Sequence, residues 1–157
     1  KEGMLNATGE HRLFMDADSS TTVEHWERFE PYFKEGFDVV IGSRHVKGSI
    51  IAQKQPWVRE FLGAAFRTLT RLITPCEVVD TQNGFKAFTA RAAQALFGGV
   101  YTAGWAFDVE ILRHAQRLGY RVKEVPVAWV NDKGSKLSFT GMVRMVFDLV
   151  CIRFLIR

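Results

Sequence analysis

Two aspartates, Asp16 and Asp18, directly follow a short apolar run and are the first residues that suggest chemistry. Leu13, Phe14 and Met15 predict a buried strand, and a carboxylate that closes a buried strand is unfavourable unless a positive charge meets it. At a strand end, such a pair can hold a divalent ion, or one carboxylate can hold it while the other binds a ribose hydroxyl. An isolated Asp-x-Asp also forms turns and helix caps, so both interpretations stay open.

Ser43 and Arg44 form a second candidate group, at the end of another apolar run. The stretch FDVVIGS, which ends at Ser43, predicts a short strand that is buried on both faces. In a parallel sheet its end lies at the same edge as Asp16 and Asp18, where doubly wound sheets bind ligands. An arginine there suits a phosphate oxygen; the alternative is a solvated loop residue.

The stretch VVDTQNGFKAF gathers polar groups between two apolar runs. Asp80, Gln82 and Asn83 precede Gly84, which supplies a flexible point in the chain. The segment is either an ordinary turn or a loop that lines a site.

Two further segments carry charges where chemistry is possible. Asp108 and Glu110 enter the start of an apolar helix, where carboxylates also compensate the helix dipole. The segment NDKGSK places Lys133, Ser135 and Lys136 around a glycine. It is either a mobile basic loop or a lid that folds on a diphosphate.

The elements that must position these residues predict an α/β domain. Strand, helix and strand follow one another from residue 13 to 43, which implies a right-handed crossover between parallel strands. A polar loop over 44–56 separates them from the remaining elements. These are helix 57–74, strand 85–89, helix 90–97, helix 107–118 and strand 121–130, in which Pro126 indicates an edge or a bulge. We therefore expect a mostly parallel sheet flanked by helices.

The last segment predicts an amphipathic helix from about Phe139 onward. Arg144, Asp148 and Arg153 interrupt its apolar residues, so it does not meet the length of about 20 apolar residues that a spanning helix needs. It carries more apolar surface than one stripe requires, and its arginines can reach anionic headgroups. We expect residues 139–157 to lie on a membrane surface; the alternative is a helix that packs on the sheet.

The composition limits the possible partners. The chain has 157 residues, of which 47% are apolar, and this suffices for one domain with a core. Its net charge is +4. The sequence has no basic stripe with interleaved aromatic residues, the pattern that would indicate nucleic-acid binding. The net positive charge instead suits anionic small ligands or an anionic membrane. The motifs G-x-S-x-G, G-x-x-x-x-G-K-[ST] and G-x-G-x-x-G are absent, which removes the common hydrolase, NTPase and dinucleotide interpretations.

Six motifs, taken in order, resemble one enzyme family. MDAD, VVIGSR, DTQNGFKAF, GWAFDVEIL, EVPVAW and GSKL resemble the GT-A-fold glycosyltransferases of family 2 that load polyprenyl phosphate with sugar, above all the dolichyl-phosphate β-glucosyltransferases. The resemblance implies an inverting transfer from a nucleotide sugar, expected to be UDP-glucose, to polyprenyl or dolichyl phosphate. Mannose synthases and other family-2 transferases are the alternatives within this class, and an inactive fragment or binding module is the alternative outside it.

The resemblance also implies roles for individual residues. Asp18 would ligate Mg²⁺ or Mn²⁺ bridging the diphosphate, with Asp16 near the ribose and the metal. Arg44 and Arg59 would hold the acceptor phosphate. Asp80 is expected, with Asp18, to be catalytic. The remaining residues implied to bind substrate are Gln82, Gly84, Trp105, Asp108, Glu110, Ser135 and Lys136, of which Lys136 would close on the diphosphate.

Family members begin with a strand and turn that hold the nucleotide base, and this chain begins where the helix after them would be ending. We therefore expect residues 1–138 to be the C-terminal two-thirds of a catalytic domain, inactive without the preceding part. The resemblance further implies a membrane-associated enzyme that works at the cytoplasmic face.

Overall fold

A computed structural model describes residues 1–52, 57–130 and 139–155. The strands in these ranges are β1 (His11–Met15), β2 (Val39–Ser43), β3 (Ile50–Ile51), β4 (Phe85–Thr89), β5 (Val122–Pro126) and β6 (Ala128–Trp129). The α-helices are α1 (Glu2–Asn6), α2 (Trp26–Lys34), α3 (Trp57–Ile73), α4 (Ala90–Gly98), α5 (Phe107–Arg117) and α6 (Phe139–Leu155). A 3-10 turn, Val23–His25, leads into α2.

The main sheet has the strand order β1-β4-β2-β5. β2 and β5 pair in parallel, whereas β4 runs antiparallel to both of its neighbours, β1 and β2. Three of these four strands therefore share one direction, with the fourth inserted between them in reverse. The predicted α/β class is confirmed, and the sheet is mixed because of β4.

The reversed strand determines which chain ends meet. Met15, the last residue of β1, pairs with Phe85, the first residue of β4, and Ile41 of β2 pairs with Lys86. The segments that follow β1 and β2 therefore lie at the same edge of the sheet as the segment that precedes β4.

The strand β2 is buried throughout because helices cover both faces of the sheet. Val39 and Ile41 pack into a core with α4 and α5, whereas Val40 points to the opposite face and packs against Phe29 and Phe33 of α2. Successive side chains of a strand alternate between faces, so an uninterrupted apolar run is what this position requires.

A second, two-stranded sheet was not predicted. Ile50 and Ile51 of β3 pair in parallel with Ala128 and Trp129 of β6, within the segment that the sequence assigns to a polar loop. Both isoleucines are exposed, so only the partner strand organises them. The prediction for Pro126 is confirmed, since it ends the edge strand β5.

The helices α3 and α6 pack against each other and leave apolar faces exposed. Trp57, Phe61 and Leu72 of α3 are 79%, 68% and 73% exposed. Met145, Leu149 and Ile152 form the buried side of α6, against Phe66 and Ile73 of α3 and against Ala106 and Val109. Among the helices in the described ranges, none is both long and apolar enough to cross a membrane.

Candidate active site

Asp16 and Asp18 lie in a tight turn after β1. Asp18 Oδ1 accepts a hydrogen bond from the Ser20 amide at 2.9 Å, and Ser19 adopts a left-handed backbone conformation with φ of 55°. Both aspartates are exposed. The turn predicted as one alternative is therefore present, and it leaves the other Asp18 oxygen and the Asp16 carboxylate facing solvent, within reach of a ligand.

Gly84 lies directly beneath Asp16. Its carbonyl accepts the Asp16 amide at 2.9 Å, and a Cβ at position 84 would overlap the whole carboxylate of Asp16. The absence of a side chain at Gly84 therefore decides where the Asp16 carboxylate lies.

Arg44 and Asp80 are joined by three hydrogen bonds. Asp80 Oδ2 accepts from the backbone amide and Nε of Arg44, both at 2.8 Å, and Oδ1 accepts from Nη2 at 2.9 Å. Asp80 is buried. Burial by itself would raise the pKa of Asp80, but the hydrogen bonds and the charge of Arg44 outweigh it and lower that pKa to about 2. Asp80 is therefore an ionised partner that fixes the plane of the guanidinium.

Lys86 and Asp108 form a second, deeper ion pair. Lys86 Nζ donates to Asp108 Oδ1 at 2.7 Å and also to the backbone carbonyl of Asn83. Lys86 is 1% exposed and Asp108 is 8% exposed. Burial raises the pKa of Asp108, and the Lys86 ammonium opposes that shift. Asp108 is thereby held at the start of α5, under the loop that carries Asn83.

These groups form one electrostatic cluster. Burial and the neighbouring Asp18 raise the pKa of Asp16, while Lys86 and Arg44 lower it, and Asp108 interacts with both Asp16 and Asp80. The cluster, which we call the edge cluster, consists of Asp16, Asp18, Arg44, Asp80, Lys86 and Asp108. Formally, the four carboxylates and two cations of this set leave two negative charges in excess, and Arg67 lies within electrostatic reach of Asp80 and Arg44.

Comparison with known proteins supports an enzyme family. The sequence profile described as glycosyl transferase family 2 matches residues 1–97, which is more than half of the chain. The chain belongs to glycosyl transferase family 2. The mixed sheet flanked by helices is consistent with the GT-A fold expected from the motifs.

Several relatives of this chain share one name, dolichyl-phosphate beta-glucosyltransferase. A dolichyl-phosphate beta-glucosyltransferase of Trichomonas vaginalis is 38% identical over 156 residues, covering 96% of this chain and 46% of the relative. Those of Dictyostelium discoideum and Saccharomyces cerevisiae are 36% and 32% identical, and each match covers 98% of this chain, with 49% and 50% of the relative. The chain spans about half the length of these relatives.

Several residues predicted for the family-2 site lie outside the edge cluster. Both oxygens of Glu110 accept backbone amides, from Tyr101 at 2.9 Å and Thr102 at 2.8 Å. This carboxylate is buried and both of its oxygens are engaged within the fold, and the contact with substrate that was predicted for it stays a prediction. Gln82 Nε2 contacts the sulfur of Met145 at 3.7 Å, on α6.

The roles predicted for four more residues stay predictions. Trp105 is 59% exposed in the loop before α5. The backbone of Arg59 belongs to α3, and its side chain lies outside the described residues, as do Ser135 and Lys136 entirely.

Lys86 and Glu124 lie beside the edge cluster although the sequence did not single out either of them for chemistry, and Asn83 was named only as part of the polar loop before Gly84. Lys86 is the one charged residue of β4, which was the available signal. Asn83 is buried, and its Oδ1 accepts the Phe85 amide at 3.0 Å. Its Nδ2 finds no partner within the described ranges.

The edge cluster fits a metal whose coordination a substrate completes. Over the described residues, no three His, Cys, Asp or Glu side chains are placed to hold a metal ion by themselves. Magnesium is usually bound by one or two carboxylates together with substrate phosphates and water rather than by a full protein cage. The exposed pair of Asp16 and Asp18 supplies the oxygen ligands that such a site needs.

Proposed function

We propose that the full-length protein transfers glucose from UDP-glucose to dolichyl or polyprenyl phosphate, with inversion at the sugar. The observation that carries this proposal is the match, over 96–98% of the chain, to relatives named dolichyl-phosphate beta-glucosyltransferase. The membership in glycosyl transferase family 2 and the charged edge of the sheet support it.

The acceptor phosphate would be the nucleophile. Because it is an anion at neutral pH, its attack depends on positioning and charge neutralisation rather than on a strong base. Asp80, with a pKa of about 2, is a weak base, which favours an orienting role. The guanidinium of Arg44 has five N–H donors, of which Asp80 engages Nε and one N–H of Nη2. The remaining donors would hold the lipid phosphate, together with Arg59.

Asp16 and Asp18 would hold Mg²⁺ or Mn²⁺ together with the diphosphate of the nucleotide sugar. When bound, the metal would stabilise the negative charge that develops on the departing nucleotide diphosphate. The carboxylate oxygens of Asp16 and Asp18 are the kind of ligand that a divalent ion prefers.

The exposed faces of α3 and α6 would bring the site to the membrane. On α6, Phe147 and Phe154 are 67% and 62% exposed, and Arg144 is exposed beside them. Apolar side chains that insert into the acyl boundary, with cations at the headgroups, are typical of interfacial helices. A lipid phosphate lies in the headgroup plane, so we infer a membrane-associated enzyme, at the cytoplasmic face.

The test is a transfer assay with the full-length protein, dolichyl phosphate and Mg²⁺ or Mn²⁺. We expect glucose transfer from UDP-glucose and much slower transfer from GDP-mannose. Preference for GDP-mannose would make the protein a mannose synthase. The absence of transfer from any donor, with the fold intact, would favour an inactive or binding module.

A further inference from the structure

Glu124 holds the loop that carries Asp80. It lies in the edge strand β5, opposite Ile41 of β2 in the parallel register. Its Oε2 accepts the amide of Val79 at 2.8 Å, and its Oε1 accepts the amide of Asp80 at 2.9 Å. Both oxygens of one carboxylate thus bind two consecutive amides of a segment that belongs to no strand or helix.

In the second set of hydrogen bonds that hold this loop, the loop supplies the acceptor instead of the donors. The side chain of Asp80 accepts three hydrogen bonds from Arg44, which follows β2. The loop is therefore fastened to two neighbouring strands: its amides to a carboxylate of β5, and its carboxylate to a guanidinium beyond β2. Hydrogen bonds to ionised groups are short and about twice as strong as neutral ones. Together they determine where Asp80, and through it the plane of Arg44, is held.

We propose that Glu124 is a positioning residue for this site: it fixes the backbone of Asp80, which in turn orients Arg44 toward the acceptor phosphate. Its effect on transfer rests on the proposed function, whereas its effect on the loop does not. Glu124 acts through Asp80, since its two oxygens are engaged by the loop amides and Arg44 is bound by Asp80 alone among the described carboxylates.

Asp38 offers a matched control at the other end of β2. Like Glu124 it is partly buried, and its Oδ2 accepts a backbone amide, that of Arg121, at 3.0 Å while Oδ1 accepts Nη2 of Arg91 at 2.9 Å. Asp38 precedes β2, whereas Arg44 follows it, so an Asp38→Asn change removes a comparable carboxylate far from the edge cluster.

The first measurement is amide hydrogen exchange in the full-length Glu124→Gln protein, without substrate. A glutamine keeps the size of the side chain but replaces one acceptor with a donor, which repels an amide. We expect the amides of Val79 and Asp80 to exchange at least about tenfold faster than in the wild type, and to stay protected in Asp38→Asn. Unchanged exchange in Glu124→Gln would overturn the proposal, whatever the outcome of the transfer assay.

The second measurement is a double-mutant cycle on the kcat/KM for lipid phosphate. We expect Glu124→Gln to lower it about tenfold, Asp38→Asn to change it less than about twofold, and Glu124→Gln with Asp80→Asn to be no worse than Asp80→Asn alone. If Glu124 had a merely structural role, the losses in kcat/KM of Glu124→Gln and Asp80→Asn would multiply in the double variant, or Asp38→Asn would lose as much kcat/KM as Glu124→Gln. Either result would reject the positioning role. If Glu124→Gln does not fold, Glu124→Asp, which keeps the charge on a shorter side chain, takes its place with a smaller expected loss.

Discussion

The carboxylate of Asp16 fills the volume that a side chain at position 84 would need, and Gly84 leaves that volume free. The two residues are also joined by the hydrogen bond from the Asp16 amide to the Gly84 carbonyl at 2.9 Å. The backbone contact prevents the two segments from separating, so any side chain at position 84 has to push the carboxylate away.

Gly84→Ala is expected to abolish transfer in the full-length enzyme. The added methyl group displaces the Asp16 carboxylate, and misplacement of a reacting or binding group by about 1 Å can cost about a hundredfold in rate. Activity is measured beside thermal unfolding. The control is Gly98→Ala, whose Cβ would meet nothing within 4 Å, and which should retain activity. Wild-type turnover in Gly84→Ala would show that the position of Asp16 does not matter.

Asp18→Ala is expected to eliminate metal-dependent transfer while leaving the fold intact. Asp18 is exposed, and its one hydrogen bond to the described chain, to the Ser20 amide, stabilises a surface turn. Loss of such a bond costs about 1 kcal/mol, too little to unfold a domain. Titration with Mn²⁺ and UDP-glucose gives a second readout, in which the variant should lose metal-supported donor binding. Normal turnover of Asp18→Ala with Mg²⁺ would refute the metal assignment.

The Arg44–Asp80 pair predicts a loss of stability in acid. The pKa of Asp80 is about 2 in the folded state, below the ordinary aspartate value of 3.8. A lowered pKa stabilises the fold above the unfolded value, and this contribution, about 2 kcal/mol, disappears as the pH falls through about 2. Urea unfolding between about pH 5 and about pH 2 should show this loss in the wild type.

Asp80→Asn should be less stable near neutral pH and should lack that component of the acid dependence. The raised pKa values of Asp16 and Asp108 act with the opposite sign, favouring the fold as the pH falls. Both groups remain in the variant, so the difference between the two curves reports Asp80 together with its electrostatic coupling to Asp108. Parallel curves would contradict the assignment of a low pKa to Asp80.

Lys86→Met is expected to destabilise the fold strongly. Removing one partner of a buried ion pair leaves the other uncompensated, at a cost of about 3–5 kcal/mol, and both Lys86 and Asp108 are buried. The double variant Lys86→Met with Asp108→Leu should recover most of the stability, because an apolar pair needs no counter-charge. The free energy of unfolding in urea, measured for both variants and the wild type, tests this prediction. Equal stability of Lys86→Met and the wild type would mean that the pair is solvated.

Phe147→Gln with Phe154→Gln is expected to reduce flotation of the full-length protein with anionic liposomes. Both side chains are more than 60% exposed on α6, so their loss should leave the stability unchanged while removing apolar surface from the interface. Arg144→Glu should weaken binding further, on the order of 1 kcal/mol for each basic residue near the surface.

Two exposed residues at the end of α5 provide matched controls for flotation. Leu118 is 57% exposed, and Arg117 is exposed beside it. Leu118→Gln and Arg117→Glu remove the same kinds of surface away from α6 and should float as the wild type does. If the controls and the α6 variants floated alike, this helix would not be a membrane contact.

The strand ends were predictable because each candidate residue borders an apolar run. Asp16, Arg44 and the segment before Phe85 stand where such runs begin or end, and burial fixes that boundary locally. The direction of β4 was not predictable, since local hydropathy is the same for a parallel and an antiparallel strand. Nor was the pairing of β3 with β6, because two exposed isoleucines become a strand only next to their distant partner.

Charged residues inside strands were the main omission. Lys86 and Glu124 each sit in a strand, where a charge ordinarily indicates the solvent side. Their partners, Asp108 and the amides of residues 79 and 80, are 22, 45 and 44 positions away along the chain. Such contacts exist only after folding, so no spacing rule reports them.

The reversal of β4 has a consequence for how this family can vary. The three residues between Asp80 and Gly84 bridge two fixed points, Arg44 on one side and Asp16 on the other, and neither point can shift without moving a charged group. Asn83 fills the remaining gap against Gly42, whose missing side chain leaves it room. An insertion or deletion of even a single residue between 80 and 84 would put one of the two ends out of register. This segment, between the groups proposed to bind the donor and the acceptor, should therefore have the same length in every active member, while the loops on the opposite edge of the sheet are free to differ.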